Sequence, residues 1–474
     1  MPRRNDPLLT LPDKSGVLYV RLYQRMRALI LQGAWPPGTR LPSSRRLAED
    51  LGVSRNTASL ALDQLLADGW IETRSRAGTY VSSELQVLAR PPQSGPIGRD
   101  RSFARPPVPF EMAHGAIDAF PFERWSRLQS KIWSKFVPDL LYDGDPAGDP
   151  GLREAIASVI APTRGLSITA DDIIIFGSTV SAVELIAAAI PQGSKVVVED
   201  PGYHFVDGAF HRRGCKVIPA PVDDDGLDID AARTACPEPR VIVVGAASQF
   251  PMGVPLSKER RRRLLAWAED CGAWIIDDAF DADARFDGEL PAPSLASDEP
   301  RGRVILMCSI SRMLFRSLRV GFMTVPPALR SAILEARTSF DGVQPLPNQL
   351  VLREFIDDGL WSAHQRRCRD LYRQRREALV TAIEPYLGSV FDAQLNPCGL
   401  HLRLHPLRHP ADEIADALRV AGIACTTLAE MTRGVPGREG ILLGFAAFSP
   451  DVIDASRPAI DSALRPFLRS FAEG

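Results

Sequence analysis

Hydrophobic positions recur at helical spacing in the first part of the chain and as short β-branched runs through the rest. Between Val17 and Gln32, the residues Val20, Leu22, Tyr23, Met26, Leu29 and Ile30 fall on one stripe, and Gly33 followed by Pro36-Pro37-Gly38 stops it, which predicts a first helix. The stretch Leu41-Pro-Ser-Ser-Arg-Arg-Leu-Ala-Glu-Asp-Leu51 opens on serines suited to capping and turns Leu47, Ala48 and Leu51 inward, a second helix that Gly52-Val53 ends in a tight turn. Ser54 is placed to cap a third helix, Arg55 to Asp68, with Ala58, Ala61, Leu62, Leu65 and Leu66 as its buried face. Trp70–Arg74 and Gly78–Ser82 then read as two strands of a hairpin whose tip, Ser75-Arg76-Ala77, is a basic wing.

Beyond Leu85 the periodicity is lost, and Pro91, Pro92, Pro96, Pro106, Pro107 and Pro109 with Gly95 and Gly98 mark an extended linker. The expected division is a head at 1–84, a linker at 85–111 and a body at 112–474. In the body, Val196–Val198, Val241–Val244, Trp274–Ile276 and Val304–Met307 are apolar runs each followed by polar residues, the pattern of buried parallel strands that end at a ligand crevice. No period of 20 to 50 residues repeats, which excludes a solenoid.

At 474 residues, 45% hydrophobic and 24% charged, the chain has material for two or three domains, and no apolar run approaches the roughly 18 residues that span a bilayer. Met-Pro-Arg-Arg-Asn-Asp leads into no apolar signal segment. The seven cysteines (215, 236, 271, 308, 368, 398 and 425) are odd in number and contain no C-x-x-C pair. The expectation is a cytoplasmic protein without a disulfide framework or a zinc site. His401, His405 and His409 recur every fourth residue, but Pro406 and Pro410 break any helix that would align them, so no metal is assigned. Charge adds an asymmetry that the overall −2 conceals. The first 90 residues hold 13 basic and 8 acidic side chains, a net +5, leaving −7 for the other 384. A basic head on an acidic body is a footprint of polyanion binding.

The polar residues of the head give that footprint a chemistry. Ser54, Arg55, Asn56 and Thr57 occupy the first turn of the third helix, the end that enters a major groove, where arginine reads guanine and asparagine adenine. Arg45 and Arg46 on the second helix and Arg76 on the wing are placed to meet phosphates, which fixes register without reading sequence. The alternative is a protein-interaction module with ordinary surface arginines. L-P-S-S-R-R-L-A-E-D-L-G-V-S-R-N-T at 41–57, D-G-W-I-E-T-R at 68–74 and G-T-Y-V at 78–81 closely resemble the GntR-type winged helix, and the resemblance implies a double-stranded DNA operator as partner.

The body carries a second resemblance. Y-D-G-D-P-A-G-D-P-G-L-R-E-A-I from Tyr142, D-D-I-I-I-F-G-S-T at 171–179, V-V-V-E-D-P-G-Y at 196–203, Q-F-P-M-G at 249–253, W-I-I-D-D-A-F-D at 274–281 and S-I-S-R-M-L-F-R-S-L-R-V-G at 309–321 are similar, in order and spacing, to the aminotransferase-like domain of fold type I pyridoxal phosphate proteins. Head and body together resemble the MocR/GabR family of transcriptional regulators. That implies an α+β winged helix-turn-helix followed by an α/β large domain with a mostly parallel sheet, a small C-terminal α+β domain, a homodimer, and pyridoxal 5'-phosphate as cofactor. It implies that Tyr203 stacks on the pyridine, that Asp278 pairs with its nitrogen, and that Ser309, Ser311 and Arg319 hold the phosphate. It also makes the arginine-rich stretch Trp361–Tyr386 a solvated helix joining the large and small domains, not a second nucleic-acid surface. Gly177-Ser178-Thr179, ahead of a helical pattern, offers backbone N–H groups and two hydroxyls to a phosphate, or is a plain helix cap.

One residue departs from the pattern where chemistry depends on it. The family's S-x-S-K lysine condenses with the pyridoxal aldehyde, and only a primary amine can do so. This chain reads Ser309-Ile310-Ser311-Arg312, and no lysine follows Lys258. A guanidinium is protonated at any useful pH and cannot take that role. Phe280, Ser248, Arg316 and Leu442 depart as well, from Tyr, His, Pro and a substrate-binding Arg. The expectation is a DNA-binding regulator whose body senses a small molecule, either pyridoxal phosphate, an amino acid or a related amine, with Arg312 counted among the residues around the cofactor. A working aminotransferase with a DNA-binding head, and a DNA-bound scaffold that holds no cofactor, remain the alternatives.

Overall fold

The computed structural model describes residues 17–74, 77–83, 107–112, 115–134, 138–279, 282, 284–285, 293–298, 302–395, 398–434 and 439–468. It forms two compact units, 1–105 and 106–474. The basic tip residue Arg76, most of the proline-rich stretch and Phe280 lie outside the described residues.

In the first unit, helices α1 (Leu18–Leu31), α2 (Ser44–Leu51) and α3 (Arg55–Ala67) precede an antiparallel hairpin, β1 (Ile71–Arg74) and β2 (Gly78–Val81). Leu22, Met26, Leu29, Leu47, Ala58, Ala61, Leu65, Ile71 and Val81 form its core. Each turn has a local cause. Ser43 accepts from Arg46 N to cap α2, Ser54 accepts from Thr57 N to cap α3, and Gly52 takes the left-handed conformation (φ 64°) that closes α2 and turns the chain. The face expected for α3 needs one correction. Ala58, Ala61 and Leu65 point inward, but Leu62 is half-buried and Leu66 is 44% exposed, because one step past Leu65 rotates a side chain by about 100° and off the stripe.

The second unit is built on an eight-stranded sheet in the order β3-β10-β9-β8-β7-β4-β5-β6. Its strands are β3 (Ile173–Phe176), β4 (Lys195–Asp200), β5 (Lys216–Asp223), β6 (Gly226–Leu227), β7 (Val241–Val244), β8 (Trp274–Asp278), β9 (Val304–Cys308) and β10 (Gly321–Thr324). Strands β9, β8, β7, β4 and β5 run parallel, while β10 lies antiparallel between β9 and β3. Alternate residues serve opposite faces: Val196 and Val198 enter one core and Val197 another, as do Ile276 and Ile275. Both faces are covered, which is why these strands read as unbroken apolar runs. A smaller antiparallel sheet, β11-β12-β14-β13, follows, from β11 (Phe391–Gln394), β12 (His401–Pro406), β13 (Thr426–Thr427) and β14 (Ile441–Gly444). The helix Leu360–Ile383 precedes it.

Candidate functional site

The first unit presents its polar face at the start of α3. Arg55 and Asn56 are exposed there. Ser54 and Thr57 are already engaged: Ser54 Oγ accepts from Thr57 N (3.0 Å) and lies 2.8 Å from Thr57 Oγ1. These two hydroxyls fix the helix start and leave Arg55 and Asn56 as the exposed polar pair of its first turn. Arg45 and Arg46 are exposed on α2 and paired along the helix with Glu49 (3.3 Å) and Asp50 (3.7 Å). Such exposed pairs are weak, so a phosphate can displace the carboxylate.

In the second unit, the C-terminal ends of β4, β7 and β8 converge on a crevice. Glu199, Tyr203, Gly245, Ser248, Phe250, Asp278 and Arg433 line it over a floor of Val198, Val206, Val243 and Val244. Tyr203 and Asp278, the two residues assigned to the cofactor ring, are thus brought together. Burial raises the Tyr203 hydroxyl, Asp278 adds to the rise, and Arg316 and Arg312 oppose it. The phenol is neutral at physiological pH. Glu199 accepts from Gly245 N (3.1 Å), and its carboxyl is pushed up to about 8. Burial is the main cause; Gly245 and Gln249 oppose it, while Asp277 and Asp278 reinforce it. Asp277 is fully buried and structural, accepting from Ala246 N, Ser294 Oγ and Leu295 N.

The segment after β9 is held just as firmly. Arg312 is 9% exposed in a single helical turn, Ile310–Met313, with Ser309 half-buried at its start. Ser311 is taken up by the backbone: its hydroxyl donates to Val320 O (2.9 Å) and accepts from Val320 N (2.7 Å). His364 Nε2 donates to Met313 O (2.8 Å) from behind. Arg319 has φ 57°, a costly conformation for a residue with a side chain, and is exposed. Ser178 caps the helix Thr179–Ala189 by accepting from Ser181 N, and Ser181 Oγ accepts in return from Ser178 N. Its hydroxyl therefore does the work of a cap, and Ser181 is a partner that the sequence reading did not single out. Thr179 opens the same helix, half-buried.

Leu442 is fully buried in an apolar cluster with Val222, Met252, Val254 and Leu428, so the place of a carboxylate-binding arginine is closed. Its neighbour across the strands, Arg403, is directed at Asp224 (3.7 Å) and Met252 Sδ (3.2 Å). Among the described residues, Lys131, Lys195, Lys216 and Lys258 are all exposed, and Lys195 and Lys216 begin β4 and β5, at the end of the sheet opposite the crevice. The crevice thus brings a carboxylate, Asp278, and an aromatic ring, Tyr203, to the ends of the strands, and Arg312 acts on the Tyr203 hydroxyl through its charge. Glu199 was not singled out in the sequence, although it stands in the same E-D-P-G-Y motif as Tyr203. Arg433 was not either, because 230 residues separate it from Tyr203 and no local pattern marks it.

Residues 18–81 match the bacterial regulatory proteins of the gntR family, and residues 137–438 match aminotransferase class I and II. The probable rhizopine catabolism regulatory protein MocR of Rhizobium meliloti is 32% identical, over 98% of this chain and 96% of its own. The pyridoxine biosynthesis transcriptional regulator PdxR of Corynebacterium glutamicum is 27% identical, over 94% and 96%. In structure, the multiple substrate aminotransferase of Thermococcus profundus aligns with a TM-score of 0.69 at 20% identity, covering 77% of this chain and 92% of that one, which fixes the fold of the body as fold type I aminotransferase-like. A gntR-type winged helix joined to an aminotransferase-like body, with relatives aligned over nearly the whole length, places the chain in the MocR-type family of transcriptional regulators.

Proposed function

We propose that this regulator binds its operator through Arg55 and Asn56, with Arg45, Arg46 and Arg76 on phosphates, and that its body is a sensor and not an enzyme. The reading has it acting in the cytoplasm as a homodimer, with a head at 1–84, a linker at 85–111 and a body at 112–474. The observation that supports the sensor reading is Arg312, 9% exposed at the position of the Ser309-Ile310-Ser311-Arg312 segment where the resemblance expects the lysine, in the same unit as a crevice that keeps Tyr203 and Asp278. Pyridoxal phosphate, when bound, supplies an aldehyde, a pyridine nitrogen and a phosphate. Here Asp278 would meet the nitrogen and Tyr203 the ring face, with Arg319, Ser309 and the helix start at Ser178 and Thr179 available to the phosphate. Ser311, whose hydroxyl is engaged with Val320, holds its segment in place and stays among the candidate phosphate ligands. The cofactor, or an amino acid or amine of similar shape, is held without a covalent bond, and its presence is the signal. Titration of the full chain with pyridoxal phosphate tests this. Saturable binding without turnover of amino acids is expected; turnover would establish the enzyme, and no binding of any such ligand would leave a DNA-bound scaffold.

A further inference from the structure

Arg433 stands in the loop between β13 and β14 of the small sheet, yet its side chain is spent on the large one. Nε and Nη2 form a fork on the Asp207 carboxylate (2.6 and 2.9 Å), Nη1 donates to Glu199 O (2.7 Å) and Nη2 to Tyr203 O (3.0 Å). Four of the five donors of the guanidinium are thereby engaged. Both charged side chains are largely withdrawn from water, 9% and 15% exposed. The backbone follows the same path. Arg433 N donates to Asp200 Oδ1 (2.7 Å), Gly202 N to Met431 O (3.0 Å) and His204 Nε2 to the same oxygen (2.6 Å). At Gly202 a Cβ would lie 2.3 Å from Glu199 O and 3.0 Å from Arg433 Nη1, so the approach depends on glycine.

All of these partners fall within residues 199–207, the segment that carries Glu199 and Tyr203 into the crevice, and Arg433 itself lines that crevice. We propose that Arg433 is a positioning residue that assembles the crevice: it clamps the Tyr203 segment to the small sheet, so that a flat ring bound against Tyr203 and a closed clamp stabilise each other. The second half of this statement rests on the sensor reading; the clamp itself does not. A planar fork matched to one carboxylate and two carbonyls has no equivalent in lysine, whose ammonium is a single point charge. Removing one member of a shielded ion pair leaves the other uncompensated, so the loss falls on the whole segment.

The test compares the full chain with Arg433→Gln, Asp207→Asn, Arg433→Lys and the double Arg433→Gln/Asp207→Asn, by hydrogen exchange and by pyridoxal phosphate titration. In each variant, amides of 199–207 and 428–434 are expected to exchange together at least about tenfold faster while β8 keeps its protection, and pyridoxal phosphate is expected to bind about tenfold more weakly. The lysine variant should not recover the parent's values. The double variant, which leaves no buried charge unpaired, keeps the comparison available if the single ones fail to fold. Unchanged exchange at 199–207 in the Gln variants would overturn the clamp, and faster exchange with undiminished affinity would overturn its role in the crevice. Should pyridoxal phosphate not bind the parent, the ligand reading fails, and the exchange pattern still decides whether Arg433 holds the two segments together.

Discussion

At the scale of single residues, Arg312 and Glu199 each give the proposed function a chemical test. In the proposed reading, Arg312 stands where aminotransferases carry the lysine that attacks the aldehyde, and a guanidinium cannot form that imine. Borohydride is therefore expected to fix no pyridoxal phosphate to the parent protein, and dialysis to remove whatever binds. Arg312→Lys restores a primary amine at the same buried turn, so mass spectrometry after reduction should find the cofactor on that residue. A reducible adduct on any lysine of the parent would revive the enzyme reading. Glu199 holds a proton that an exposed carboxyl would release. Its folded value of about 8 lies above the ordinary 4.5, so the stability it contributes is complete below about pH 4.5 and is lost as the pH rises through 8. Glu199→Gln imitates the protonated side chain and escapes that loss. Between pH 5 and 8.5 the melting temperature of the parent should fall relative to that variant, as scanning fluorimetry can follow. Asp277 is raised in the same direction by its burial and is present in both proteins. A gap that does not change with pH would mean that Glu199 titrates normally.

At the scale of elements, what the sequence disclosed depended on whether the cause of an element was local. The start of α3 was legible because Ser54 makes its cap with a residue three places away. Ser54→Ala should cost about 1 kcal/mol of head stability, measurable by denaturant unfolding, with Arg55 still facing outward. Arg55→Ala should instead leave stability unchanged and lose roughly 1 to 3 kcal/mol of preference for operator over random DNA, seen as a converging pair of binding isotherms. If Arg55→Ala weakens both DNAs equally, α3 does not read bases. The strands at 196–198, 241–244, 274–276 and 304–307 were legible for a different reason, since burial on both faces leaves an apolar run with few alternatives. The insertion of β10 between β9 and β3 was not, because an antiparallel partner reads the same as a parallel one within four residues. Ser311 illustrates the limit within the crevice. Its motif pointed to a phosphate ligand and gave no sign that its hydroxyl also bonds Val320, a contact made only once β9 and β10 are side by side.

At the scale of the whole molecule, the question is whether ligand in the body changes the head's hold on DNA. The two units are separately compact. Communication therefore has to be measured as a coupling free energy, and such a coupling is reciprocal. If pyridoxal phosphate, or the amine that replaces it, alters operator affinity by some factor, operator DNA must alter the affinity for that ligand by the same factor. Typical couplings are about 5- to 150-fold, within reach of fluorescence anisotropy for DNA and of calorimetry for the ligand. Both titrations should be run at one salt concentration, because the phosphate contacts proposed for Arg45, Arg46 and Arg76 would weaken as salt rises and mimic a loss of coupling. The clamp at Arg433 gives the prediction a second arm. If ligand closes the crevice through that side chain, Arg433→Gln should reduce the factor in both directions toward one, while the variant's affinity for operator without ligand stays at the parent's value. A factor of one in the parent, with the ligand bound, would mean that the body assembles the regulator on DNA without instructing it.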